Sequence, residues 1–149
     1  MEITSISTRE TQELAQKLAK DIKPGHVLAL EGDLGSGKTT FTSYLVRALG
    51  SDSRVQSPSF VLIRKYVVPK TKNENIHTVY HVDLYRLSSK HEVEDLGLEE
   101  MFSEEGAIVI IEWPELAEEI LPKPVIKINF EYTGENKRKK NVQNTDQLN

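Results

Sequence analysis

Chemistry-bearing residues are concentrated in one short loop, GDLGSGKT, at residues 32–39. The loop fits the pattern G-x-x-x-x-G-K-[ST], in which glycines let backbone N–H groups turn inward around a phosphate at the start of the following helix. In such a loop Lys38 reaches the β- and γ-phosphates of a nucleotide, and the hydroxyl of Thr39 binds Mg²⁺. The predicted nucleotide-binding residues of this loop are Gly32, Asp33, Leu34, Gly35, Ser36, Gly37, Lys38, Thr39 and Thr40.

The elements that flank this loop are those that position it. The apolar run at residues 26–30 predicts a buried strand before the loop, and residues 38–49 predict a helix after it, which ends at Gly50. A second continuous apolar run at residues 107–112 is typical of a central parallel strand. Because strands alternate with helices, we expect an α/β fold with a P-loop NTPase-like, mainly parallel sheet flanked by helices.

Other segments carry weaker signals. The STRE sequence at residues 7–10 is typical of a capping box that opens a helix. Residues 60–68 and 76–82 predict an antiparallel hairpin inserted in the sheet. Seven acids and no base occur between Glu92 and Glu105, where we expect one broken helix or two short ones.

Composition limits the class of protein. The chain of 149 residues has no cysteine and a net charge of −4, so we expect a cytoplasmic protein without a thiolate metal site. No apolar stretch suits a membrane span or a signal peptide, and an acidic body disfavours direct binding of nucleic acid. A single domain is predicted over residues 1–133, with its last strand at residues 124–132. Residues 134–149 predict a polar, basic, disordered tail.

A nucleotide site of this kind also needs an acid that holds the hydration shell of the metal. Two predicted strands end in acids, Asp83 in HVDLYRL and Glu112 in IIEWPE. Glu112 points to the nucleotide if its strand neighbours the strand before the loop. Asp83 follows a predicted edge strand, where an acid either contacts the metal or caps the surface, and the residues leave both open. His81 and Asp83 also suggest a metal-ligand pair, but we expect no zinc site, since further ligands are not found in the sequence.

The nucleotide is expected to be ATP, because the guanine-reading motif N-K-x-D does not occur. A small-molecule kinase usually carries arginines in a lid that screens the γ-phosphate from water. The arginines of this chain do not cluster in such a stretch, which disfavours a kinase.

Taken together, the motifs resemble the TsaE/YjeE family, the P-loop ATPase component of bacterial tRNA threonylcarbamoyladenosine biosynthesis. The resemblance covers about residues 10–132, and its segments occur in the family's order. These segments are GDLGSGKTT, SPSF at 57–60, HVDLYRL at 81–87, EDLGLEE at 94–100 and IVIIEWPE at 108–115.

The resemblance implies roles for the acids. Asp83 is expected to hold Mg²⁺ beside Thr39, and Glu112 is expected at the metal and γ-phosphate as the base or water-orienting group. Lys38, Asp83 and Glu112 then form the catalytic set, whereas Thr39, Asp83 and Glu112 form the metal set.

The resemblance also implies roles outside these sets. Ser59 replaces the threonine of the family's switch-like S-P-T-[FY] segment and keeps a hydroxyl that can sense Mg²⁺ or the γ-phosphate. Trp113, beside Glu112, is either a nucleotide contact or a packing residue. Tyr85 and Arg86 match the family as well, and are either functional or structural.

The function that the resemblance implies is assisted ATP hydrolysis. The protein would bind ATP and Mg²⁺, hydrolyse ATP slowly on its own, and dock on a threonylcarbamoyl transferase subunit and its inactive paralogue. Transfer RNA would be contacted only indirectly, through that complex, which modifies the adenosine next to the anticodon. The alternatives are a nucleotide-dependent regulatory or binding module without meaningful turnover, and a small P-loop kinase.

Overall fold

The structure is a computed structural model that describes residues 2–5, 8–32, 37–56, 62–134 and 137–144. Its strands are β1 Glu2–Ser5, β2 Val27–Gly32, β3 Ile63–Val67, β4 Thr78–Asp83, β5 Ala107–Glu112, β6 Val125–Gly134 and β7 Lys137–Asn144. Its helices are α1 Thr8–Asp21, α2 Lys38–Leu49, α3 Lys90–Glu94, α4 Leu98–Phe102 and a 3₁₀ helix at Pro114–Ile120. Within these residues, no helix has the length and apolar character that crossing a membrane requires.

The strands form one mixed sheet in the order β1-β7-β6-β2-β5-β4-β3. The four inner strands β6, β2, β5 and β4 are parallel. Antiparallel strands flank them, with β3 paired to β4 on one side and β7 and β1 on the other. The predicted α/β fold with a mainly parallel sheet and an antiparallel hairpin is confirmed.

Both faces of the two central strands, β2 and β5, are buried along their apolar runs, which explains why these runs are continuous. Every residue of β5 is buried, as are the first four of β2. On one face, Leu30 and Ile110 belong to a core cluster with Leu14 of α1 and Phe41 of α2. On the opposite face, side chains of α3, α4 and the 3₁₀ helix pack on a second cluster that contains Ile111.

Two expectations about the edges of the sheet were wrong. Strand β4 is not an edge strand, because β3 turns back and takes the outer position beside it. The expectation of a disordered tail over residues 134–149 does not hold for Lys137–Asn144, which form β7 between β6 and β1. The polar sequence of β7 carries no apolar alternation, so its strand character depends on the backbone hydrogen bonds that β6 and β1 supply.

The aromatic pair Phe41 and Phe130 offers a test of this core. Both side chains are buried, with ring centroids 5.6 Å apart in an edge-to-face arrangement. We expect Phe41→Ala to lower the free energy of unfolding by about 3–5 kcal/mol, because it removes this contact and leaves a cavity. Chemical denaturation measures the change. Val67→Ala, at a side chain that is 61% exposed, is the control, and an equal loss there would contradict the assigned core.

Candidate active site

The predicted phosphate-binding loop joins β2 to α2. Gly32 at the end of β2 has φ 145°, and Gly37, which caps α2, has φ 105°. Both values lie in the region that favours glycine, so the two glycines let the chain leave the strand and enter the helix. Thr39 and Thr40 lie in the first turn of α2 and are half-buried. Residues 33–36 lie outside the described residues, and their contacts with phosphate stay a prediction.

The two predicted acids are brought together by strand register. The Cα partners of Glu112 are Leu30 on β2 and Asp83 on β4. Paired residues of neighbouring strands project to the same face, so Asp83 and Glu112 lie side by side at the carboxyl ends of their strands. That face is the one packed against α2, and both side chains are buried.

The ammonium group of Lys38 lies at the centre of the site. Its Nζ donates a hydrogen bond to the carbonyl oxygen of Gly32 at 2.6 Å and lies 3.9 Å from Oε1 of Glu112. The side chain is 5% exposed. Because a buried charge is costly without partners, these contacts stabilise the lysine beside the predicted phosphate-binding loop.

An aromatic pair borders this group. Trp113 has φ 58°, an uncommon value for a residue with a side chain, and its ring centroid lies 4.2 Å from Nζ of Lys38. The ring of Tyr85 packs against Trp113, with centroids 4.9 Å apart, and Tyr85 is 53% exposed. The Trp113 ring therefore lies at the candidate site, and its contact with the nucleotide stays a prediction.

His81 is a polar residue of the site for which the sequence suggested a different role. Nε2 of His81 lies 2.5 Å from Oε2 of Glu112, and the histidine is fully buried. At the level of sequence, His81 suggested only a metal-ligand pair with Asp83, and a zinc site was not expected. A signal was available, because His81 is a polar residue two positions before Asp83 on a strand and therefore shares its face.

The donor set fits Mg²⁺ better than a transition metal. Mg²⁺ prefers hard oxygen ligands and is usually held by one or two carboxylates together with the phosphates of a substrate. Asp83 supplies a buried carboxylate, whose Oδ1 accepts a hydrogen bond from the backbone N–H of Tyr85 at 2.9 Å. Thr39 supplies a hydroxyl at the start of α2. Among the described residues, no three His, Cys, Asp or Glu side chains cluster as a metal site.

The remaining predicted site residue is Ser59. It lies outside the described residues, so its role as a sensor of the metal or γ-phosphate stays a prediction.

A further acid stands directly before the loop. Burial, followed by the nearby carboxylates of Glu115 and Glu118, raises the pKa of Glu31 above its ordinary value, while Lys127 opposes the shift. The folded protein therefore favours the protonated form of Glu31, and the ionised form disfavours folding.

This shift predicts a pH-dependent effect of Glu31→Gln. Above the raised pKa the wild type carries an unfavourable charge that glutamine lacks, so the variant should melt at a higher temperature at about pH 7. As the pH falls through the raised pKa towards the ordinary value of 4.5, Glu31 becomes protonated and the difference should shrink. Thermal melts of wild type and variant at about pH 7 and near pH 4.5 measure this difference in melting temperature. Glu105→Gln, at an exposed position, is the control. A difference that grows in acid would contradict the assignment.

Comparisons with known proteins agree with this geometry. The model of the family described as threonylcarbamoyl adenosine biosynthesis protein TsaE matches residues 5–141. The tRNA threonylcarbamoyladenosine biosynthesis protein TsaE of Rickettsia felis is 42% identical over 130 residues, which cover 87% of this chain and 71% of that protein. The protein of the same name from Bacillus subtilis is 40% identical over 134 residues, which cover 90% of this chain and 79% of that protein.

A solved structure gives the same result at the level of the fold. The crystal structure of Bacillus subtilis YdiB aligns with a TM-score of 0.77 and 33% sequence identity, covering 98% of this chain and 86% of that one. The family match includes the strand-loop-helix unit and both strands that carry the acids. The chain therefore belongs to the TsaE family of proteins of tRNA threonylcarbamoyladenosine biosynthesis.

Proposed function

We propose that this protein is a magnesium-dependent ATPase that supports a threonylcarbamoyl transferase complex in tRNA modification. The proposal rests on one observation. Lys38 and Asp83 both lie next to Glu112, beside the first turn of α2. An ammonium group, two carboxylates and the N-terminus of a helix are the protein groups that phosphoryl transfer to water requires.

Lys38 and the loop bind the phosphates of ATP in this proposal. Residues Gly32 to Thr40 surround the β- and γ-phosphates, and the ammonium group of Lys38 exchanges its contact with the Gly32 carbonyl for phosphate oxygens. Thr39 and Asp83 hold Mg²⁺, which neutralises charge on the phosphates when it is bound. Trp113 contacts the nucleotide from the side of Lys38, and Ser59 senses the metal or the γ-phosphate.

Glu112 orients the attacking water. Its two carboxylate oxygens lie near Lys38 and His81, so the group is fixed at the edge of the sheet where the γ-phosphate would lie. Phosphoryl transfer needs little covalent help from the protein, and most of the acceleration comes from position and charge. The family resemblance also implied Glu112 as a metal ligand. Because both of its oxygens have protein neighbours, we assign it primarily to water.

Partners complete the reaction in this proposal. The protein docks on the transferase subunit and its inactive paralogue, contacts tRNA only through them, and uses ATP binding and hydrolysis to reset the complex. Tyr85 is exposed at the edge of the site and packs on Trp113, so a docked protein that contacts Tyr85 can act through Trp113, the residue that follows Glu112 in the chain. Hydrolysis by the isolated protein should be slow, because the attacking water is incompletely positioned without the partners.

Phosphate release from ATP in the presence of Mg²⁺ tests the proposed activity. We expect a low rate for the isolated protein, a rise of at least about tenfold with the two-protein complex, and loss of activity in Lys38→Ala, because the lysine binds the phosphates. Removal of Mg²⁺ by a chelator should have the same effect as the variant. Transfer of the γ-phosphate to a small molecule without free phosphate would favour a kinase instead.

A substitution of Glu112 separates an ATPase from a regulatory module. Glu112→Gln keeps the shape of the side chain but removes the charge that orients water, so turnover should fall by about 10²-fold while ATP binding changes little. Phosphate release and equilibrium binding of a fluorescent ATP analogue give the two values. Full turnover in this variant would contradict the role of Glu112. Binding of ATP without turnover in the wild type, even with partners, would favour the regulatory module.

A further inference from the structure

The carboxylate of Glu112 lies between two buried groups that can both hold it. Oε1 lies 3.9 Å from Nζ of Lys38, and Oε2 lies 2.5 Å from Nε2 of His81. The distances are unequal, so the histidine makes the hydrogen bond and the lysine remains at the limit of an ion pair. The orientation of Glu112 is therefore set mainly from the side of β4.

We propose that His81 is a positioning residue for Glu112. Its Nε2–H donates to Oε2 and holds the carboxylate in the orientation that directs water at the γ-phosphate. The proposal rests on the proposed ATPase function and names a residue that acts through Glu112, without contact to the nucleotide.

The burial of His81 supports a specific role over simple packing. The side chain is fully buried on β4, where one neighbour on the same face, Val79, belongs to the apolar core and the other is the buried acid Asp83. Within the described residues, Nδ1 has no hydrogen-bond partner, so the bond to Glu112 is the polar contact that this part of the chain offers the ring. A buried imidazole is less favourable than an aliphatic side chain of similar size, unless its N–H makes a hydrogen bond that the protein needs.

The ring is itself held in place. His81 lies on an inner strand, with Ile110 as its partner on β5 and Arg64 as its partner on β3. The ring of Tyr66 packs beside it, with centroids 6.2 Å apart, and the Tyr66 hydroxyl is bonded to the backbone of Gln56. A rigid donor of this kind can fix a flexible acceptor such as glutamate.

The consequence of losing this donor follows from charge. Glu112 and Lys38 are oppositely charged and buried, so without His81 the carboxylate would be free to turn towards the ammonium group. A close pair would turn Glu112 away from the attacking water, while the phosphates of bound ATP would still compete for Lys38. His81 therefore keeps the two charges apart, near enough to interact and far enough to act separately.

Two substitutions of His81 test the proposal in the full-length protein with its transferase partners. His81→Leu removes the donor and keeps an apolar side chain in the core. His81→Gln places an amide N–H at the same number of bonds from the backbone as Nε2. We expect the leucine variant to lower kcat by about 10- to 100-fold, with the dissociation constant for ATP within about threefold of wild type. The glutamine variant should recover most of the rate.

A double variant gives the decisive comparison. If His81 acts through Glu112, His81→Leu should lower kcat no further once Glu112→Gln is present, because the group that it positions has already been changed. His91→Leu is the matched control, since His91 is 82% exposed and lies among surface acids. Circular dichroism and melting temperature confirm that each variant is folded.

The possible outcomes separate this proposal from the function on which it rests. A normal wild-type rate with an unchanged kcat in His81→Leu would overturn the positioning role alone, as would an equal loss in the leucine and glutamine variants when both remain folded. A wild-type rate no higher than that of Lys38→Ala, with partners present, would overturn the ATPase function and the positioning role with it.

Discussion

The parallel pairing of β5 with both β2 and β4 is the constraint on which the rest of the structure depends. It aligns the carboxyl ends of three strands and sets Glu112 level with Leu30 and Asp83. A slip of one residue would turn Glu112 to the opposite face, where the second core cluster packs. The buried side chains of β5 oppose such a slip, because each would have to fit among the close-packed side chains of the opposite face, which are shaped for a different residue. The packing of the core and the geometry of the site are therefore decided by the same register.

The site places charge where the core would favour apolar groups. Lys38 and Glu112 are both almost fully buried, and a buried ion pair contributes little net stability, because desolvation offsets the attraction. Their neighbours reduce the cost in different ways. The Gly32 carbonyl accepts from the lysine, the Trp113 ring lies over it, and His81 binds the carboxylate. An arrangement of this kind is better explained by the chemistry that we propose than by any gain in stability.

Local signals predicted much of the fold and of the candidate site, whereas features that depend on pairing were missed. Gly32 and Gly37 at the two ends of the loop, the apolar run of β5 and the Gly50 end of α2 are visible within a few residues, and these were placed correctly. The inner position of β4 and the strand β7 depend on partners far along the chain. The same applies to His81, whose partner Glu112 is 31 residues away. Sequence spacing predicts which face a side chain takes on its own strand, but it does not give the register of the neighbouring strand.

The left-handed backbone of Trp113 has a practical consequence. It brings the ring of the chain's single tryptophan over the ammonium group of Lys38. Indole emission depends on nearby charge and polarity, and here no second tryptophan contributes a background. The protein thus carries its own optical probe at the candidate site. Any event that moves Lys38 or Tyr85 changes the surroundings of that one ring, so it can be followed in unlabelled protein.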